Sequence, residues 1–203
     1  MEYYSFGEFQ FLEEPVWISR SGYTGEDGFE IFSSNALATA IWDRLAAEGK
    51  DLGALPAGLG ARNTLRLEAG NALYGHELDR QTTPLEAGLS FALSLDKGDF
   101  VGRAALLAQK EKGVSRKLIG FKVLDKPVAR EGYSIFSQDR KIGVVTSGSF
   151  APTVGANIGL GYVEAGFEAL STALEIEVYG RKVRAEVVKR PFVTLKTKRK
   201  GLK

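Results

Sequence analysis

Short β-rich runs in the second half of the chain constrain its fold more than any other feature. Turn residues such as Gln138-Asp139 and Tyr179-Gly180 separate several of them. The runs cover residues 118–123, 132–136, 142–146, 158–163, 173–178 and 182–188. Short strands at even spacing with hairpin turns predict a small antiparallel barrel or a sandwich.

The first half of the chain mixes helical patterns with strand-like runs. Helices are expected from Ser33 or Ser34 to Gly49, from Pro56 to residue 67, and over 103–112. Serine is a favoured N-cap and proline suits a first helical position, which supports the first two starts. The pattern changes near residue 114, and we place a domain boundary there. This predicts a first region over 1–113, a β-rich domain over 114–195 and a basic tail over 196–203.

The composition excludes several kinds of site. The chain has 203 residues, no cysteine and one histidine, so it can form neither a disulfide nor a thiolate metal site. A histidine-based zinc site or a Ser-His-Asp triad would depend entirely on His76. No apolar run reaches the length of a membrane span, and the N-terminus lacks a signal pattern. We therefore expect a soluble, cytoplasmic protein that does not contact a membrane.

Positive charge is concentrated at the C-terminus, although the formal net charge of the chain is only +2. The tail contains Lys196, Lys198, Arg199, Lys200 and Lys203. A basic tail can bind nucleic acid or an acidic partner, but a short terminal run is more often solvated and frayed. No aromatic residue interleaves with these cations to stack on bases. We expect no nucleic-acid partner.

Residues 20–31, which read RSGYTGEDGFEI, hold three glycines between two strand-like flanks. Glycine supplies the positive-φ positions of a tight reversal, so the segment predicts a hairpin. Side chains alternate along a strand, which puts Glu30 on the face opposite Phe29 and Ile31. Glu30 is then either exposed to solvent or, if buried, in need of hydrogen-bond donors. A ligand with two adjacent N–H donors would supply them.

Further motifs follow in a fixed order. They are PAGLGARNTLRLEAG at 56–70, LYGHEL at 73–78, TTPLEAGL at 82–89, GVVTSG at 143–148 and GLGYV at 159–163. Together with residues 20–31 they resemble the T protein of the glycine cleavage system, over nearly the whole chain. The resemblance implies an α+β fold, in which a partial folate-binding α/β region precedes a C-terminal antiparallel β-barrel.

The resemblance also implies the site. Glu30 would bind the 2-amino-4-oxo edge of a reduced pterin through a bidentate, charge-assisted pair. Tyr23 and Arg62 would belong to the same folate pocket, and Phe91, where relatives often carry tryptophan, would form an aromatic wall. Glu26 is the rival of Glu30, but we interpret it as a turn residue.

Each of these residues also has a purely structural interpretation. Arg62 can form an ion pair with Glu68 or Glu86, and Phe91 can simply pack in a core. Where the family usually has aspartate, this chain has Asn63, which weakens any orienting pair with Arg62.

Three other titratable residues attract attention by their chemistry. His76 is a candidate proton carrier, because histidine is the residue type suited to that role. A lone histidine without partner ligands is more often structural, and we expect the same of Glu77 and Glu86. We identify no catalytic and no metal-binding residue in the chain.

By resemblance, the parent activity is that of an aminomethyltransferase. It transfers a one-carbon unit from the aminomethyl-lipoyl H protein to tetrahydrofolate, giving 5,10-methylenetetrahydrofolate and ammonia. The resemblance implies that the family's catalytic aspartate lies in an N-terminal half outside this sequence, so we expect the isolated chain to be inactive. Self-association or pairing with the missing half is also expected. The alternative is a non-catalytic folate-binding or scaffold module, although such relatives carry a cysteine motif that is absent here.

Overall fold

The computed structural model describes residues 1–197, which form two compact units. The first comprises Met1–Leu65 and the described residues from Thr194 onward, and the second comprises Arg66–Val193. Among the described residues, no helix combines the length and the apolar character that crossing a bilayer requires. The predicted basic tail lies outside the described residues except for Lys196 and Thr197.

The first unit contains a small antiparallel sheet and a helix. Its elements are β1 (Phe6–Phe11), β2 (Glu14–Ser19), β3 (Glu30–Phe32) and α1 (Asn35–Gly49), followed by a 3₁₀ turn over Lys50–Leu52. The strand order is β1-β2-β3, and Trp17 lies opposite Phe32 across the last two strands. Phe6 packs against Trp17 with 5.7 Å between ring centroids. These three aromatic side chains are exposed, so among the described residues of this unit none covers this part of the sheet.

Two local expectations for the first unit need correction. The reversal between β2 and β3 is a long loop over residues 20–29, in which Gly25 alone of the three glycines has a positive φ, 77°. The second helix, α2, spans Leu59–Glu68 and does not begin at Pro56. Its first turn closes when the backbone N–H of Arg62 donates to the carbonyl of Gly58, and that bond fixes the start of the helix.

The second unit is dominated by a closed antiparallel barrel. The helix α3 (Arg103–Lys112) precedes the strands β4 (Arg116–Val123), β5 (Ser134–Ser137), β6 (Arg140–Ala151), β7 (Ala156–Glu164), β8 (Ala173–Val178) and β9 (Arg181–Val188). Their order is β4-β7-β6-β5-β8-β9, and pairing of β9 with β4 closes the barrel. The α+β class and the C-terminal barrel are confirmed, and of the two β architectures open from strand spacing the chain adopts the barrel.

Turn chemistry and alternation explain why these strands form. The β8–β9 hairpin turns through Tyr179 and Gly180, which both have positive φ, as a type I′ hairpin requires. In β8 and β9 the inward positions are apolar and alternate with charged ones, which gives each strand one buried face. The inward side chains meet in one core cluster that includes Phe121, Ile135, Val145 and Ile176.

A segment that precedes the barrel in sequence packs directly on it. The Leu118 amide donates to the carbonyl of Glu86, and the Tyr162 hydroxyl donates to the carbonyl of Glu77. The compact units accordingly divide between Leu65 and Arg66. The domain boundary near residue 114 stays a prediction, and it differs from this division into compact units.

A buried ion pair is the main polar connection in this packing. Arg66 and Glu77 are 1% and 0% exposed, and Arg66 Nη1 lies 2.9 Å from Glu77 Oε2. Arg66 Nη2 donates to Ser147 Oγ at 2.8 Å, and Thr146 Oγ1 donates to Glu77 Oε1 at 2.6 Å. The Leu73 amide donates to Glu77 Oε2 at 2.9 Å. The structure thus shows Glu77 as a fully satisfied scaffold carboxylate.

Glu86 has a similar role at the start of the barrel. Thr83 donates to Glu86 Oε2 from its amide at 2.8 Å and from its hydroxyl at 3.0 Å, while Arg116 Nε donates to Oε1 at 2.9 Å. Burial alone would raise the pKa of Glu86, but these hydrogen bonds and the Arg116 charge together lower it.

We predict that Arg66→Met destabilises the chain by about 3–5 kcal/mol, because it leaves a buried carboxylate at Glu77 without its counter-ion. The free energy of unfolding in urea measures the loss. Arg44→Met is the matched control, since Arg44 forms an exposed pair with Glu48 within α1. Its loss should stay near 0.3–0.5 kcal/mol, roughly the range for such helix pairs. Equal losses in both variants would contradict the prediction.

We also predict a pH-dependent effect of Glu86→Gln. The folded state lowers the pKa of Glu86 below its ordinary 4.5, so the carboxylate stabilises the fold above that pH. The stability gap between wild type and variant should be constant near neutral pH and should close as the pH falls below 4.5. Urea unfolding across this range measures it, with Glu111→Gln on the exposed face of α3 as the control. A gap that widens on acidification would show that the sign is wrong.

Candidate functional site

The loop over residues 20–29 is held closed by an ion pair at its ends. Arg20 Nε and Nη2 donate to the two carboxylate oxygens of Asp27, at 3.0 Å and 2.5 Å. Arg20 Nη1 also donates to the Met1 carbonyl at 2.6 Å, and the Arg20 guanidinium lies 5.8 Å from the centre of the Phe29 ring. A fork-shaped guanidinium bound to both oxygens fixes orientation as well as distance. The loop therefore has a defined shape.

Glu30 begins β3 and is partly buried. Its Oε2 accepts a hydrogen bond of 2.5 Å from Ser21 Oγ, which lies 2.7 Å from Ser19 Oγ. Ser19 and Glu30 are directly opposite each other in the β2–β3 pairing. Oε1 of Glu30 accepts no hydrogen bond within the part of the chain that the structure describes. Glu30 thus keeps acceptor capacity for further donors.

Glu26, the rival carboxylate, is engaged at the C-terminal segment. Lys196 Nζ lies 3.2 Å from Glu26 Oε1, and the Lys196 amide donates to the Gly25 carbonyl at 3.0 Å. These contacts give Glu26 the environment of a turn residue that anchors a neighbouring strand of chain. They support Glu30 as the pterin ligand, which stays a prediction.

Tyr23 and Arg62 are brought together. The guanidinium carbon of Arg62 lies 4.8 Å from the centre of the Tyr23 ring, a cation–π distance. The anions considered as structural partners of Arg62 have other roles in the second unit, since Glu68 accepts from the Thr153 amide and Glu86 binds Arg116. Arg62 therefore contributes an exposed, planar cation beside an aromatic ring.

Phe91 belongs to the other compact unit, on a 3₁₀ turn over Ser90–Ala92. Its side chain is 79% exposed, which excludes the core-packing interpretation within that unit.

His76 Nδ1 lies 3.1 Å from the Thr146 carbonyl and 3.2 Å from Glu131 Oε2. Within residues 1–197, no group of His, Asp and Glu side chains has the arrangement of a metal site.

Sequence reasoning missed Ser21. Its hydroxyl is the partner of Glu30, although it lies nine residues earlier in the chain. The pairing of β2 with β3 explains this contact. Because Ser19 and Glu30 lie opposite each other, the first residues of the loop, including Ser21, lie close to Glu30.

Two family models match the chain. The GCVT N-terminal domain matches residues 1–97, and the glycine cleavage T-protein C-terminal barrel domain matches residues 116–194. This chain belongs to the glycine cleavage T-protein family. The resemblance found in the sequence motifs is confirmed.

Relatives and a solved structure agree with this assignment. The chain is 49% identical over 182 residues to an aminomethyltransferase of Alkaliphilus oremlandii and 50% identical over 190 residues to one of Moorella thermoacetica. These alignments cover 90% and 94% of this chain, and 50% and 52% of the relatives. The crystal structure of the glycine cleavage system aminomethyltransferase T from Bartonella henselae matches with a TM-score of 0.85 and 36% identity. That match covers 90% of this chain and 51% of the Bartonella chain.

The chain thus spans about half the length of the T proteins that it matches. The residues that the sequence resemblance predicted for folate binding are found in both compact units. Tyr23, Glu30 and Arg62 lie in the first, and Phe91 lies in the second.

We predict that Asp27→Asn loosens the loop over residues 20–29, because it removes the charge that fixes Arg20. Hydrogen exchange at the Lys196 amide, which donates to Gly25 in the loop, reports the opening. We expect exchange to accelerate by only about two- to fivefold, because an exposed ion pair contributes little to local stability. Asp43→Asn, which removes an exposed carboxylate from α1, should leave this rate unchanged. Unchanged exchange in both variants would show that the ion pair does not hold the loop.

Proposed function

We propose that the chain forms part of an aminomethyltransferase of the glycine cleavage system. In this role it serves the transfer of a one-carbon unit from an aminomethyl group on the lipoyl arm of the H protein to tetrahydrofolate, with release of ammonia. Family membership supports the reaction class, and the relatives bear that name. The structural observation that carries the proposal is Glu30, whose carboxylate is fixed by one hydroxyl and still has acceptor sites to offer.

The proposed folate site fits the donors of a reduced pterin. A carboxylate has about four acceptor positions, of which Ser21 uses one. The remaining positions can accept the two adjacent N–H groups of the 2-amino-4-oxo edge as a charge-assisted pair. Tetrahydrofolate would supply the nitrogen that carries the one-carbon unit, and the protein would bind and orient it.

Tyr23 and Arg62 would add an aromatic face and a cation to this site. The guanidinium already lies over the Tyr23 ring, so its orientation is set before any ligand binds. Such a cation suits the carboxylates of the folate tail or an aromatic ring of the ligand. Phe91, the remaining residue predicted for folate binding, is exposed in the second unit, and its role stays a prediction.

Turnover would require more of the family's length than these 203 residues supply. The chain spans about half of each relative, and we identify no catalytic acid or base in it. The exposed aromatic residues of the β1–β3 sheet, Phe6, Trp17 and Phe32, would pack against that additional polypeptide or against a second copy of the chain. The cytoplasmic location stays a prediction.

A non-catalytic folate-binding module is the second candidate. The observation that favours it is that Tyr23, Glu30 and Arg62, the residues proposed to bind the folate, belong to one compact unit. Glycine-cleavage activity of the isolated chain with H protein and tetrahydrofolate would exclude this alternative, and it would also contradict the proposed need for additional polypeptide.

Calorimetric titration with 5-formyltetrahydrofolate tests the binding proposal. We expect the wild-type chain to bind, and Glu30→Gln to bind at least about tenfold more weakly, a loss of about 1.4 kcal/mol. The substitution keeps the shape of the side chain but removes the charge that accepts both pterin donors. Glu26→Gln is the matched control and should bind as wild type does. Loss of binding in Glu26→Gln together with wild-type binding in Glu30→Gln would show that Glu26, and not Glu30, binds the pterin.

A further inference from the structure

A short chain of hydroxyl groups leads to Glu30, and its direction is fixed by chemistry. An ionised carboxylate only accepts hydrogen bonds, so in the 2.5 Å contact the Ser21 hydroxyl must be the donor. A serine hydroxyl has one proton, which leaves Ser21 as the acceptor in its 2.7 Å contact with Ser19. Ser19 therefore donates to Ser21, and Ser21 donates to Glu30.

The backbone fixes both ends of this chain. Ser19 closes β2 and Glu30 opens β3, and the two are direct partners in the antiparallel pairing. Ser21 lies between them at the start of the loop whose shape is held by Arg20 and Asp27. Because hydrogen bonds in a series polarise one another, the Ser19 contact strengthens the bond from Ser21 to the carboxylate.

We propose that Ser21 is a positioning residue of the folate site, a role that rests on the proposed function. Its hydroxyl fixes Oε2 of Glu30 in one rotamer, so that the carboxylate meets the pterin donors without first losing side-chain freedom. Preorganisation of this kind raises affinity by reducing the ordering that binding requires. Ser19 supports the same geometry from one step further away.

The proposal predicts a specific pattern among variants titrated with 5-formyltetrahydrofolate. Ser21→Ala should bind about tenfold more weakly than wild type, whereas Ser21→Thr, which keeps the hydroxyl, should recover most of that loss. Ser33→Ala is the matched control, since the Ser33 hydroxyl donates to the neighbouring Ser34 carbonyl. In a Glu30→Gln background, Ser21→Ala should add little, because Ser21 acts through the Glu30 carboxylate. Wild-type affinity in Ser21→Ala, or a full additional loss in the double variant, would overturn the proposal.

A second measurement does not depend on folate binding. The carboxyl carbon resonance of Glu30 in the ¹³C-labelled chain, assigned by its absence in Glu30→Gln, should shift in Ser21→Ala and stay in place in Ser33→Ala. No shift in Ser21→Ala would overturn the proposal whatever the titrations show. A third outcome is that the resonance shifts in Ser21→Ala while the wild-type chain fails to bind 5-formyltetrahydrofolate. That result would overturn the folate role of both residues, and with it the proposed function, but not their hydrogen bond.

Discussion

The packing of the second unit depends on the buried ion pair between Arg66 and Glu77. Two full charges are removed from water, which is costly unless every donor and acceptor finds a partner. Here the partners come from separate parts of the chain: the end of α2, the loop that follows it, and strand β6. The arrangement satisfies these charges only when all three parts are in place. The pair therefore specifies one packing more than it adds net stability.

The number of hydrogen bonds that each carboxylate accepts distinguishes the scaffold residues Glu77 and Glu86 from Glu30, the candidate ligand-binding residue. Glu77 and Glu86 are nearly inaccessible and accept hydrogen bonds on both oxygens. Glu30 is partly exposed and accepts one bond, on Oε2, within the described residues. A fully satisfied carboxylate gains nothing from a ligand, whereas a fixed and half-satisfied one gains new charge-assisted bonds. The same residue type thus has opposite roles, decided by the number of donors that the fold supplies.

Local patterns predicted the strands of the barrel well because those strands obey local rules, although strand spacing left a barrel and a sandwich both open. Alternation in β8 and β9 and the turn at Tyr179-Gly180 depend on neighbouring residues alone. Contacts between distant residues were beyond such rules. Ser147 lies 81 positions from Arg66, and no periodicity links them. The start of α2 was predicted at Pro56 because proline suits a first helical position. The helix begins later, where the Arg62 amide donates to the Gly58 carbonyl, and no local rule indicates that bond.

The candidate site was predicted by family resemblance and could not have come from residue chemistry alone. Glu26 and Glu30 are the same residue type in the same segment, and their tertiary contacts distinguish them. Lys196 forms an ion pair with Glu26, whereas Ser21 donates a hydrogen bond to Glu30. In the proposed site, Tyr23, Glu30 and Arg62 are all carried by one compact unit. Pterin recognition would then be a property of a loop, the strand β3 that follows it and a helix, whereas the reaction would need groups elsewhere in the family's length. In the proposed function, binding and catalysis would then be separable, because interactions that hold a cofactor equally in ground state and transition state contribute affinity without contributing rate.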